Sequence, residues 1–329
     1  KGKSAMTTAT KPSFLTRLGR FLGDNPMIPL VILLLVLVGI LEMLRPGIVN
    51  ERWIGNTIKF AIPLAMLAAC QTLTMLTGGI DLSVGVVATI TAFVMATQVP
   101  LVGVPLGILI SLIPAILIGL LNGVGVAVFL VHPLIMTLGS GLVGTGCLQV
   151  YQRFVISSGS VVPDVLGWLG TGRTWGLPNS LVLFLPFAIV LIFGQRRTGF
   201  GRLLYALGSN ENAARLSGVK AGQVYLALYT LSALIAGVTG LLYVGLIKAP
   251  SLSLANPLML PSVAAAVVGG TSIFGGRGGY GGTILGALIL TVLGTLLTLL
   301  QMPEGARRIL FGLIILAVTA IYIRLTDRS

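Results

Sequence analysis

Residues 28–41 read IPLVILLLVLVGIL, with no charged, amide or hydroxyl side chain anywhere in the run. A helix on a soluble core keeps a polar face, whereas one that is apolar all round is buried on every side or sits in lipid. Segments of similar character recur at 27–44, 56–77, 82–98, 106–130, 134–152, 179–194, 224–247, 258–274, 282–300 and 307–323. A spanning helix needs roughly 20 mostly apolar residues, and most of these segments approach or exceed that length. Lipid offers no hydrogen bonds, so each span must close its own backbone, which favours helices over strands. The alternating pattern of a membrane barrel is absent. The expected fold class is therefore all-α: a polytopic integral membrane protein with about ten transmembrane helices, its transmembrane domain covering 27–323.

Composition points the same way. Hydrophobic residues make up 55% of the chain and charged residues 9%, where soluble domains carry about 25% charged residues. Lys1–Ala5 precede Met6 and read as a cloning remnant, so 1–26 is expected to hold that remnant and a short cytoplasmic segment. The first apolar run starts late and has no small-residue cleavage site after it, which predicts an anchor and not a removable signal. Residues 324–329 form the expected cytoplasmic C-terminus. The net charge of +13 is read by location, and no nucleic-acid partner is expected. With a cytoplasmic N-terminus, eleven basic residues fall on inner segments and eight on outer ones, a modest positive-inside bias. Trp53, Trp168 and Trp175 all fall on outer segments, where interfacial aromatics belong. Cys70 and Cys147 lie in apolar spans and suggest neither a disulfide nor a metal framework.

Two connections are long. The outer one, 156–178, is rich in Gly, Ser and Pro and reads as an external cap or docking loop. The inner one, about 195–223, contains GFGRLLYALGSNENAARLSGVKAG at 199–222, a polar island in an apolar chain. Arg196, Arg197, Arg202, Arg215 and Lys220 face a single acid there, Glu211. Ser209 or Asn210 can cap a short helix, Glu211 suits its first turn and Gly218 can end it. Ala213 and Ala214 would leave a slim surface able to slot into a partner's groove, with Arg215 as a charged contact. A surface helix without a partner is the plainer alternative. The candidate coupling residues are Asn210, Glu211, Ala213, Ala214, Arg215 and Gly218.

Three polar residues stand inside the apolar runs. Asp81, in TGGIDLSVG (77–85), reads first as the cap of the third span at the cytoplasmic interface. Its second reading is a gate or part of the transport path, since an ionisable group at membrane depth is costly and calls for a function. Gln71 and Asn122 could face a hydrated cavity and bond a hydroxylated solute, or could bond a neighbouring helix. His132 stands alone, which argues against a metal site. The 44 glycines, about twice ordinary usage, include Gly119-x-x-x-Gly123 and Gly282-x-x-x-Gly286, spacings that let helices approach closely. No catalytic constellation is present: no H-E-x-x-H, no G-x-S-x-G and no phosphate loop with its lysine. The chain cannot hydrolyse ATP by that route. An ion-coupled secondary transporter stays open as an alternative, although it wants more intramembrane acids than Asp81.

At 77–85, 122–140, 201–219 and 264–290 the chain resembles the membrane permease of bacterial sugar-uptake ABC importers, nearest the ribose, xylose and autoinducer-2 branch. The resemblance runs in order over roughly residues 50–325. It implies a transport subunit of the bacterial inner membrane, with both termini cytoplasmic and no cofactor of its own. ATP and Mg would be held by separate cytoplasmic ATPase subunits that engage the helix around Glu211–Gly218. A periplasmic sugar-binding protein would deliver the solute, and a second permease copy, identical or paralogous, would complete the path. The same resemblance leaves the substrate open, with nucleosides and autoinducer-2 as alternatives to a monosaccharide. The outer-loop residues Asp164, Trp168, Arg173 and Trp175 match no pattern of that family.

Overall fold

The structure is a computed structural model that describes residues 27–155, 159–303, 305–310, 312–314 and 316. The predicted segments 1–26 and 324–329, the end of the tenth predicted span and residues 156–158 of the outer loop lie outside the described residues. The elements run α1 (Met27–Leu44), α2 (Glu51–Met75), α3 (Val84–Val102), α4 (Val104–Ala127), α5 (Pro133–Val155) and α6 (Asp164–Thr171). A small antiparallel hairpin follows, β1 (Arg173–Thr174) with β2 (Leu177–Pro178). Then come α7 (Ser180–Arg197), α8 (Gly199–Ser209), α9 (Glu211–Leu216), α10 (Ala221–Ile247), α11 (Asn256–Val268) and α12 (Tyr280–Leu299). Eight of these are long and apolar enough to cross a membrane.

The first nine predicted spans sit on these helices within a few residues, with one difference. The eighth, 258–274, is helical only as far as Val268, and α11 has 13 residues, about 20 Å of helix. Gly269 and Gly270 break it: Gly270 takes φ +87° and is followed by further left-handed glycines at Gly275, Gly276 and Gly278. Composition alone cannot separate an apolar helix from an apolar loop. Several spans carry internal prolines, among them Pro63, Pro114 and Pro186, which neighbouring helices accommodate in membrane bundles.

The bundle closes around α10. Its Gly237 packs on Ala115 of α4, and a Cβ on its Gly240 would run into the Ala88 carbonyl of α3. In return, α4 presents Gly119 to Thr230 and Ala233, and Gly123 to Leu226, so the small-residue spacing of α4 is the groove in which α10 lies. The second such spacing works the same way, since Gly282 and Gly286 of α12 meet Gly269 and Ala265 at the end of α11. By contrast, α1 is almost wholly exposed along its apolar length, as a helix facing lipid must be.

Contacts between connections divide the bundle into two ends. Met27 meets Gly281, Gly222 meets Ala127, and the 76–83 loop meets Gly208 and Phe274, which gathers those connections at one end with α8 and α9. At the other, Gly170 meets Gly245, Gly55 meets Arg173, and the three tryptophans lie there together. Among the described residues the polar island and the tryptophan-bearing loops therefore occupy opposite ends.

Because no side chain fits at the crossing of α10 and α3, Gly240→Val is expected to cost about 1–3 kcal/mol or more through overpacking. Thermal unfolding of the detergent-solubilised protein, followed by size-exclusion chromatography, should show a lower transition, whereas Gly194→Ala, with open space at its Cβ position, should not.

Candidate functional site: a hydrophilic handle and a buried polar knot

The polar island folds as two helices joined by one residue. Thr198 caps α8, its Oγ1 accepting the Gly201 N–H at 3.2 Å. Asn210 then ends α8 and starts α9, with its Oδ1 accepting the Ala213 N–H at 2.9 Å. Of the two cap candidates in the sequence, Asn210 takes the role, while the Ser209 hydroxyl bonds back to the Tyr205 carbonyl. At the far end Gly218 adopts φ +87°, and the Gly218 and Val219 N–H groups close on the Arg215 and Ala214 carbonyls. The left-handed cap needs glycine, which explains the residue at 218.

Glu211 organises the short helix. Its Oε1 accepts from Arg215 Nη2 at 2.7 Å and Nε at 2.9 Å, a salt bridge one turn apart. Its Oε2 accepts the Tyr225 hydroxyl at 3.0 Å, which fastens α9 to the first turns of α10. The two alanines do not share a face: Ala213 is exposed, whereas Ala214 is turned into the core. A slim surface made by both is therefore corrected to one made by Ala213 alone. Leu216 is 90% exposed at the tip, an apolar contact point that the sequence reading passed over. Its signal was present, as a large apolar residue inside an otherwise polar island.

The three intramembrane candidates, Gln71, Asp81 and Asn122, come together although 51 positions separate the first from the last. All are fully buried. Asp81 Oδ1 accepts the Ser83 hydroxyl at 2.6 Å and the Ser83 N–H at 3.0 Å, while Oδ2 accepts the Ser232 hydroxyl of α10 at 2.8 Å. Gln71 of α2 grips the Asp81 backbone, with Nε2 donating to its carbonyl at 2.7 Å and Oε1 accepting its N–H at 3.3 Å. Asn122 of α4 donates to the Ser83 hydroxyl at 3.0 Å. From α5, Thr137 Oγ1 accepts the Leu82 N–H at 3.0 Å and donates to the Ile80 carbonyl at 3.2 Å. Four spans thus bond to one loop.

That geometry replaces the simplest reading of Asp81. Ser83 is the residue before α3, and the helix has no side-chain cap; the Asp81 carboxylate bonds Ser83 itself. Nor does Asp81 lie at an interface, since its partner Ser232 is near the middle of α10. Tyr229, one turn earlier on α10, is fully buried and its hydroxyl has no partner among the described residues. A Cβ on Gly79 would come within 2.6 Å of that hydroxyl, so glycine at 79 provides the room for it. Asn122 Oδ1 is likewise buried without a partner.

Handle and knot touch through backbone. The Gly276 N–H donates to the Leu76 carbonyl at 3.0 Å, and a side chain at Gly208, at the end of α8, would collide with that same carbonyl. Gly275, at φ +90°, stands against Gly208 and Gly78. Tyr205 of α8 also donates to the Gly278 carbonyl at 2.8 Å. The end of α8, the 76–83 loop and the 269–279 loop therefore meet backbone to backbone at Gly208, Leu76 and Gly275–Gly276.

A cavity of about 460 Å³ lies between α3, α4 and α5, lined mainly by residues such as Ile90, Val94, Ile113, Leu117 and Leu148. A hydroxylated solute finds little to bond there. Among the described residues no group of acids, histidines and cysteines could hold a metal.

A bundle of lipid-soluble spans with a rigid hydrophilic handle at one end is built as a transport permease. The chain belongs to the family described as the branched-chain amino acid transport system permease component, which matches residues 53–319. It is 34% identical over 308 residues to the probable ABC transporter permease protein YphD of Escherichia coli (strain K12), covering 92% of this chain and 91% of the relative. Over 292 residues it is 33% identical to the ribose import permease protein RbsC of the same organism, covering 87% and 90%. It is also 30% identical over 318 residues to the fructose import permease protein FrcC of Rhizobium meliloti, covering 94% and 88%. No solved structure matches the chain. It is thus the membrane subunit of an ABC importer and not an enzyme, which sets aside the ion-coupled and catalytic readings. Such a subunit works with an ATPase and a solute-binding protein.

Ser232→Ala leaves the Asp81 carboxylate held by Ser83 alone and is expected to destabilise the bundle by about 1–3 kcal/mol. Ser232→Thr, which keeps the hydroxyl, should recover most of that loss in the same thermal-unfolding measurement.

Proposed function

We propose that this chain carries a monosaccharide or a closely related small hydroxylated solute inward, driven by ATP hydrolysis on separate cytoplasmic subunits. The solute class rests on relatives named for ribose and fructose import, alignable over some nine-tenths of this chain. The driving mechanism rests on one structural observation: α9, pinned at both ends and tied to α10 by Glu211, projects Ala213, Arg215 and Leu216 outward. A helix laid into a hydrophobic groove by its exposed apolar side chains is a recurring mode of recognition.

In this reading α9 is the coupling helix. Its end of the bundle faces the cytoplasm, and the end bearing the tryptophans receives a periplasmic binding protein. The positive-inside bias that supports this orientation depends on the basic residues of 1–26 and 324–329. A second permease copy completes the path. ATP binding moves α9 by favouring one packing of the bundle over another, which is the only way a ligand shifts such an equilibrium. Displacement of α9 reaches Asp81 by two routes, the backbone junction of Gly208, Gly276 and Leu76, and the α10 face carrying Tyr225, Tyr229 and Ser232. The role proposed for Asp81, Gln71 and Asn122 is a gate hinge that holds four spans to one loop, with selectivity left to the delivery protein.

Glu211→Arg would remove both the Arg215 and the Tyr225 contacts, and Gly218→Pro would impose a negative φ on a left-handed position. Each is expected to reduce ATP-driven sugar uptake in proteoliposomes at least tenfold and to weaken co-purification of the ATPase, at unchanged membrane levels. Uptake within twofold of wild type in both variants would rule out the coupling role.

A further inference from the structure

Irregular backbone at membrane depth is tolerated only where it is buried in protein or lines a water-filled cavity. The 249–255 connection is irregular and runs from the tryptophan-bearing end of the bundle down to that depth. It leaves α10 at Lys248 and ends at Ala255, whose N–H donates to Thr89 Oγ1 at 3.0 Å. The Ala255 carbonyl and the Asn256 Cα stand against Gly85 near the start of α3. Thr89 is nine residues along α3 from the polar Gln98, about 13 Å. Its neighbour Ala88 packs on Gly240, which lies seven residues before the end of α10 at Ile247, about 10 Å. Both measures put Ala255 and Asn256 well inside the bundle, and α11 begins there instead of at a surface.

Along this connection the side chains alternate. Leu252 packs with Ile90 and Val94, and Leu254 with Met95 and Val244. Ser251, Ser253 and Asn256 are exposed, and their side-chain polar atoms have no hydrogen-bond partner among the described residues. Polar outward and apolar inward is the reverse of what contact with lipid selects. The exposed side of this stretch therefore meets water at a depth where the outer faces of α1 and α7 meet hydrocarbon.

We infer that residues 249–256 line a water-filled stretch of the translocation path, and that Ser251, Ser253 and Asn256 bond the hydroxyl groups of the passing solute. The identity of that solute rests on the importer reading; the water-filled wall does not. Two hydroxyls and an amide on a stretch without charged side chains suit a neutral polyol, which exchanges hydrogen bonds along the wall without being trapped. The nearest cation, Lys248, stands at the end of α10 before this stretch begins.

The test uses the full chain in lipid nanodiscs, with exposed Cys147 replaced by serine and buried Cys70 retained. Single variants Ser251→Cys, Ser253→Cys and Asn256→Cys are treated with a charged, membrane-impermeant methanethiosulfonate. Each is expected to react at least tenfold faster than Leu254→Cys on the inward side and Ile189→Cys, which is 66% exposed on α7. If one variant fails to assemble, the other two still report the alternation. In the complex with its ATPase and binding protein, Ser253→Ala and Asn256→Ala are expected to raise the KM for the transported sugar several-fold. Labelling no faster than at Ile189→Cys overturns the inference. So does a disulfide between two copies through Ser253→Cys, which makes this face a contact between permeases. Because the labelling needs neither solute nor ATPase, a wild-type complex that fails to take up sugar overturns the importer reading without touching this result.

Discussion

Hydrocarbon supplies no hydrogen bonds and no preference for one apolar surface over another, so helices hold together here by close backbone approach and by satisfying polar groups among themselves. The glycines of α4, α10 and α12 follow from the first requirement. Where Gly240 meets the Ala88 carbonyl, or Gly286 the Ala265 carbonyl, any side chain would force the helices apart. The second requirement shapes the loop after α2. Its Asp81 carboxylate and Ser83 hydroxyl are fully buried, and each takes a hydrogen bond from another span, Asp81 from Ser232 of α10 and Ser83 from Asn122 of α4.

These two requirements have a mechanical consequence. A loop bonded to α2, α4, α5 and α10 cannot shift alone, and packed cores change between discrete arrangements more readily than they deform. The backbone junction presses the end of α8 directly on that loop, with backbone on both sides and little room for slack. Tyr229 and Asn122 each keep a buried polar atom without a partner among the described residues, and a buried group left so costs about 1–3 kcal/mol. Buried groups left unsatisfied in one packing favour another in which they are paired.

Much of this was legible in the residues. Continuous apolar runs predicted the spans because lipid-facing helices need no polar face, and α1 matches 27–44 residue for residue. The handle was legible because caps are local: Asn210 and Gly218 act through bonds to residues within a few positions of themselves. The resemblance drawn from 77–85, 122–140, 201–219 and 264–290 agrees with the family to which the chain belongs. Other features depend on which way a side chain turns. Ala213 and Ala214 are adjacent and identical, yet one is exposed and the other buried, because successive residues on a helix point about 100° apart and only α10 and the core decide which side is inside. The early end of α11 was marked only by Gly269-Gly270, which in this glycine-rich chain is not a distinctive signal.

By itself, then, the sequence determined what is set by composition and short range: solvent, helix, the places of most spans, the caps of the handle and the lack of a nucleotide-binding loop. Tertiary structure alone decided which residues share a site. Ser232 is 151 residues from Asp81, and Thr89 is 166 from Ala255; no periodicity links such positions. Their meeting depends on the order in which helices pack, and that order is fixed by the sum of many close contacts, none of which is encoded at a single place along the chain.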